Sequence, residues 1–193
     1  MTYQESHPHY RELEVKDYSA GKLRLIEPDL KYADVSLQWV SDQEVIQYMG
    51  IDFANPSLEG EQKRLREILE NKDGYDWMIE LDGKVIGNVR IHSIDWVSKK
   101  FGVKAAYPAI LIGDKNYWRK GIAYQVMKTV LDWAFHEAGF KMIAARVLQE
   151  NIPSIKNLQK LGFEEDGTEP HDGLINGKPS IWKKFKITIK STL

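Results

Sequence analysis

The strongest constraint on this chain is a change of hydrophobic period across a basic, glycine-containing turn. Ala109-Ile110-Leu111-Ile112 is an apolar run ended by Gly113, long enough for a buried strand and too short for a helix. Further on, Ile122, Ala123, Val126, Met127, Val130, Leu131, Ala134, Phe135 and Ala138 recur at the spacing of one helical face. Between the two lies Trp118-Arg119-Lys120-Gly121-Ile122-Ala123. The helix is therefore expected to start at about residues 119–121, with its unpaired amides and positive dipole end inside the basic turn. A pyrophosphate fits such a turn. A Walker loop would need a second glycine followed by Lys and Ser or Thr, and no G-x-G-x-x-G occurs, so neither common nucleotide loop is present.

Around this unit the pattern predicts an α+β fold with a mostly antiparallel sheet. Residues 22–27 alternate as a first strand, and Pro28-Asp29 opens a helical pattern through Leu30, Ala33, Leu37 and Val40. Ser41 is expected to cap a second short helix with Glu44, and Ser57 a third running to about Asn71. Asp82-Gly83 signals a tight hairpin between residues 75–81 and 84–94. Residues 95–104 read as a charged, glycine-containing connection, 106–112 and 141–148 as strands, and 152–160 as a helix. Residues 163–166 and 181–189 read as closing strands joined by a turn-rich segment with Gly173 and Asn176-Gly177.

Composition narrows the function classes. At 193 residues and 42% hydrophobic, the chain suits one domain with an ample core, expected at residues 21–193 behind an N-terminal arm at 1–20. A net charge of -1 supplies no basic field for nucleic acid or anionic membranes. With no cysteine, the chain can have no disulfide, thiolate zinc site or acyl-cysteine intermediate. His7 and His9 share no ligand spacing with His92, His136 and His171, so no metal is expected. No apolar leader or membrane-length run is apparent, and a cytoplasmic location is the expectation.

A second motif lies downstream. Residues 151–163 read Asn-Ile-Pro-Ser-Ile-Lys-Asn-Leu-Gln-Lys-Leu-Gly-Phe, with Pro153 in the first turn of a helix and Gly162 past its end. Together with the basic turn and the intervening strand, it resembles the second signature of the GNAT superfamily of acyl-CoA N-acyltransferases. The closest resemblance is to the Rim-type ribosomal-protein acetyltransferases and their amino-sugar-modifying relatives, and it covers about residues 22–189. The resemblance implies splayed central strands flanked by helices, with acetyl-CoA as co-substrate and no metal. Backbone groups of Ile110, Leu111 and Ile112 would meet pantetheine. Arg119, Lys120, Gly121, Ile122, Ala123 and Tyr124 would surround the pyrophosphate, and Asn151 and Asn157 the cofactor arm. The chain departs from the family's Q/R-x-x-G-x-G/A turn in one respect: Trp118 holds the first position and the charge comes one residue later, at Arg119.

Acyl transfer to an amine needs a neutral amine, an oxyanion donor and a proton for the departing thiolate. A strand amide near Leu111 is the expected oxyanion donor. Many relatives carry a tyrosine as thiolate acid where this chain has Leu158, and Ser154 matches the serine proposed for that role in the Rim-type branch; a helix-capping role is its equal alternative. The strand position where relatives often place a glutamate is Tyr107, a poor base at neutral pH. Deprotonating a lysine-like amine at pH 7 costs roughly 4.6 kcal/mol, against about 1.4 kcal/mol for an α-amine. The sequence therefore favours a protein N-terminus or an amino sugar as acceptor, with an aminoglycoside, a polyamine or a non-catalytic coenzyme A module as alternatives. His92, Asp95, His171 and Asp172 are further candidate bases. Trp39, Tyr48, Phe53 and Trp77 fall where similar folds build an acceptor pocket, with at least two expected to be simple packing. A homodimer through a sheet edge or the N-terminal arm is a further expectation.

Overall fold

The computed structural model describes residues 12–49, 55–175 and 177–189. Eight strands form one sheet in the order β1-β2-β3-β4-β5-β6-β8-β7. They are β1 (Leu13–Glu14), β2 (Leu23–Ile26), β3 (Gly74–Leu81), β4 (Lys84–His92), β5 (Ala105–Ile112), β6 (Met142–Leu148), β7 (Glu164–Ile175) and β8 (Lys178–Thr188). The helices are α1 (Ala33–Val40), α2 (Gln43–Ile46), α3 (Leu58–Glu70), α4 (Ile94–Phe101), α5 (Ile122–His136) and α6 (Ile152–Lys160). Every neighbouring pair is antiparallel except β5 and β6.

That parallel pair is the point on which the architecture turns. β5 and β6 are in register only at Ala105 with Met142 and Ala106 with Ile143; past Ala106 they part. The two half-sheets stay together because the apolar face of α5 covers both. Val126, Val130 and Ala134 are wholly buried among Val89 and Ile91 of β4, Ile143 of β6 and Phe185 of β8. Trp77 of β3 meets Trp133 of α5 edge to face at 5.0 Å. Helices α1 to α4 cover the opposite face: Trp39, Val40, Val45 and Ile46 pack on Met78 and Val85, while Val97 of α4 packs on Ala105, Tyr107 and Ala144. Of the expected arm, Leu13 and Val15 are buried in the main core, and β1 pairs with β2.

Three expectations are corrected. The connection at 95–104 contains a helix, α4, whose Ile94, Val97 and Phe101 share a face; Ser98 secures it by exchanging two hydrogen bonds with the Ala105 backbone, and left-handed Gly102 ends it. The segment after Asp166 is no loop. β7 and β8 form one long hairpin, bulged between Glu165 and Thr168 and again between Pro170 and Leu174. Cross-strand pairs such as Lys183 with Glu165 and His171 with Trp182 hold it, which residue-by-residue turn chemistry conceals. The cap of α2 is Asp42, which accepts from the Glu44 amide, and not Ser41. Ser57 caps α3 as expected, and α6 spans the predicted residues.

Gly113 ends β5 under a tight constraint: a Cβ there would stand 2.1 Å from the Trp39 ring. Gly113→Ala is expected to lower stability by about 1–3 kcal/mol through overpacking, read as a lower urea midpoint with an unchanged m-value.

Candidate active site

The basic turn is built from two left-handed residues, Arg119 at φ 60° and Gly121 at φ 75°. Gly121 is the N-cap of α5 and has no side-chain cap. The first intrahelical bond runs from the Gln125 amide to the Gly121 carbonyl, so the amides of Ile122, Ala123 and Tyr124 precede the helical ladder and are available to an anion. Alternating backbone hand of this kind makes an anion-binding concavity. Arg119, Lys120 and Gly121 are exposed, while Ala123 and Tyr124 are half-buried. The Ile122 side chain is 1% exposed and belongs to the core, so only its amide faces the turn. Lys160, at the end of α6, sits over the Tyr124 ring at 4.1 Å, and Lys120 over Tyr117 at 5.2 Å, adding positive charge around the same helix end.

Trp118 explains the departure from the family pattern. Its indole N–H donates to the Ile112 carbonyl at 2.7 Å, and its ring packs in the cluster of Trp39 and Leu111. The residue ties the turn to the end of β5 and leaves the charge to its neighbour.

Backbone direction along β5 follows from its partners. The Gly113 amide donates to Ile86 of β4, and the Leu111 carbonyl faces Gly87, where a Cβ would come within 2.1 Å of it. Alternation along the ladder therefore turns the backbone groups of Ile110 and Ile112 toward the gap, while Pro108 has no amide to offer. Of these, the Ile112 carbonyl is taken by Trp118. The amides open to a substrate in the gap are those of Ile110 and Ile112, the two neighbours of Leu111.

The second motif forms α6 beside this strand. Asn151 caps it, accepting from the Ser154 amide at 3.2 Å. Ser154 lies in the first turn, half-buried, and among the described residues no partner takes its hydroxyl. The cap is thus made by Asn151 and the Ser154 hydroxyl is left for other work. Asn157 is half-buried on the same helix.

The face opposite α5 carries polar side chains alongside the apolar residues packed under α1 to α4. Tyr107, 8% exposed, is the first β5 residue beyond the last β5–β6 pair and stands opposite His92 of β4, with ring centres 6.1 Å apart. Burial, reinforced by the charges of Arg90 and Arg146, pushes the His92 imidazole down to about 4. His92 is therefore neutral at pH 7, and its Nδ1 shares a 2.9 Å hydrogen bond with Ser93. Farther along, Asp76 pairs with Arg90 at 3.2 Å, Glu61 with Arg64 at 2.8 Å and Glu169 with Arg146 at 3.0 Å. A shallow recess is lined by Pro28, Arg64, Ile68, Asp76, Asn88 and Arg90. His171 packs against Trp182 and bonds to the Gly173 backbone, and the Asp95 amide donates to Asp73. Of the aromatic candidates, Trp39 and Trp77 are core, Tyr48 is half-buried, and Phe53 lies outside the described residues.

Arg146, Trp182 and Trp96 were not singled out by sequence reasoning. The available signal was Arg146 itself, the one charged residue in the otherwise apolar strand Met142–Leu148.

Comparison with known proteins identifies the family. Residues 22–164 match the model of the acetyltransferase (GNAT) domain. The uncharacterized N-acetyltransferase p20 of Bacillus licheniformis is 29% identical over 160 residues, covering 76% of this chain and 81% of that protein. The probable N-acetyltransferase YjcK of Bacillus subtilis is 30% identical over 139 residues, covering 68% and 71%. The ribosomal-protein α-N-acetyltransferase RimL, solved in complex with coenzyme A, superposes with a TM-score of 0.76 at 16% identity over 92% of this chain and 98% of RimL. The chain belongs to the GNAT acetyltransferase family, and it is an acetyl-CoA-dependent N-acetyltransferase. Among the described residues no helix is long and apolar enough to cross a membrane.

The His92 shift has a sign that can be tested. An unfolded imidazole binds its proton near 6.5 and the folded one only near 4, so between these values the unfolded state binds more protons. Stability is expected to fall as pH drops from about 6.5 to about 4, and His92→Asn is expected to flatten that part of the profile in urea titrations. Separately, Trp118→Phe keeps the ring and loses the bond to Ile112. We expect a stability loss of about 0.5–1.5 kcal/mol, with a weaker coenzyme A dissociation constant in calorimetry.

Proposed function

We propose that the chain moves the acetyl group of acetyl-CoA directly onto a primary amine in a ternary complex, and that the acceptor is a protein N-terminal α-amine or an amino sugar. One observation carries the choice of acceptor. On the face where the gap opens away from α5, the carboxylates of Asp76, Glu61 and Glu169 are each committed to an arginine, and the imidazole beside Tyr107 is held neutral well below its usual range. Among the described residues these groups offer neither a strong base for a lysine-like ammonium nor a row of uncommitted carboxylates for a polycation.

In this reading the diphosphate of acetyl-CoA lies on the amides of Ile122, Ala123 and Tyr124, within reach of Arg119 and Lys120. The arm runs between β5 and β6, beside Asn157. The nitrogen lone pair forms a bond to the thioester carbon while a gap-facing amide of β5 takes the charge that develops on oxygen. The C–S bond then breaks, and its electron pair takes the proton of the Ser154 hydroxyl. That hydroxyl is restored by the proton the nitrogen gives up, so the products are the acetamide and the free thiol. Tyr107 borders this path as an orienting hydroxyl for the amine or an intervening water. The absence of cysteine fits direct attack, because no thiol is present to be acylated.

Thiol release from acetyl-CoA across a panel of amines tests the reading. Peptides with free α-amines or hexosamines are expected to be acetylated well above a lysine side chain or spermidine, and the reverse order overturns the acceptor assignment. Ser154→Ala is expected to lower kcat by about ten- to a hundredfold with little change in the KM for acetyl-CoA. An unchanged kcat removes Ser154 from the mechanism.

A further inference from the structure

A row of aromatic and cationic side chains in contact crosses the gap on the face opposite α5. Trp96 of α4, 55% exposed, lies 5.9 Å from Tyr107 of β5. The Arg146 guanidinium of β6 lies 5.3 Å from the Tyr107 ring and 5.7 Å from the Trp182 ring of β8, and Trp182 meets His171 of β7 at 5.1 Å. Arg146 stands two residues from Ala144, which packs with Tyr107 and Val97, so the two share the strand face away from α5. It stands three residues beyond the last β5–β6 pair, where the strands have separated.

The guanidinium is fixed by this packing but not used up by it. It lies against two rings, and among the described residues one carboxylate oxygen, from Glu169, accepts from Nη1 at 3.0 Å. Its side chain remains 45% exposed. An arginine held between rings loses less freedom on forming further hydrogen bonds, and its planar fork matches a carboxylate or phosphate. Arg90 of β4, paired with Asp76 of β3, and Arg146 both act on the His92 imidazole and so stand on the same side of the sheet.

We propose that Arg146 reads an anionic group on the acceptor, so that the substrate is an amine carrying a carboxylate or phosphate close to its nitrogen. This rests on the acetyl-transfer reading above and narrows it. The anion binds the guanidinium donors that Glu169 leaves open, with Trp182 and Tyr107 holding the plane. Glu169 acts as an internal competitor whose removal strengthens the anion's hold.

Matched acceptors test this: a peptide with an acidic second residue against its amide counterpart, and a hexosamine phosphate against the free hexosamine, the two pairs separating carboxylate from phosphate as the source. With the native protein, kcat/KM is expected to favour the anionic member of at least one pair by about tenfold or more. Arg146→Met, which keeps the packing volume, is expected to bring that preference within about twofold, with coenzyme A affinity unchanged. Arg146→Lys should keep an intermediate preference, and Glu169→Gln should enlarge it by lowering KM for the anionic member alone. Equal rates within both pairs, or equal losses on both members in Arg146→Met, overturn the inference while leaving acetyl transfer standing. Coenzyme A binding with no acetylation of any acceptor overturns the transfer reading and this inference together.

Discussion

The structure depends on an interruption. Between β5 and β6 the sheet gives up its ladder after two residue pairs, and backbone groups that would otherwise be satisfied by a neighbouring strand are left facing a gap. A sheet opened at its centre stays whole only if something else spans the break. Helix α5 does so on one face, with apolar side chains packed on strands from both halves. On the other face the bridge is made of Tyr107, Arg146 and Trp182. The opening therefore has an apolar clamp on one side and a polar, charged one on the other, a difference suited to a co-substrate entering from the first and an acceptor from the second.

Much of this was legible from residue order. The strand ending at Ile112, the basic turn and the long helix could be read because a short unbroken apolar run gives way to a period of 3.6 across a glycine-containing turn, and each step has a local physical cause. The N-x-x-S helix was equally legible, with a capping asparagine, an early proline and a closing glycine. The catalytic face was not. Tyr107 was found through a family position, but its neighbours Arg146, Trp182 and Trp96 come from three elements far apart in sequence, and only register brings them together. The same holds for the β7–β8 hairpin, where the length of β7 follows from cross-strand pairs to β8 and not from strand preference in its own glycine- and acid-rich sequence.

Ser154 shows how the structure separates two roles that the sequence leaves equal. A serine in the first turn after an asparagine can serve as cap or as reagent. The cap is made by Asn151, one turn earlier, so capping does not account for the serine, and its part as reagent stands as a proposal. Burial divides the aromatic residues in a similar way: Trp39 and Trp77 are wholly enclosed, whereas Trp96 stands out from the surface beside the gap.

The indole of Trp118 has a consequence for catalytic timing. It joins the turn proposed to hold one end of a long, flexible co-substrate to the carbonyl near the end of the strand proposed to hold the other. One rigid ring thus works as a spacer gauge between anchor and reaction point. Acyl donors sharing the same nucleotide head but differing in arm length would be held equally well and yet present their carbonyl out of step with the waiting nitrogen.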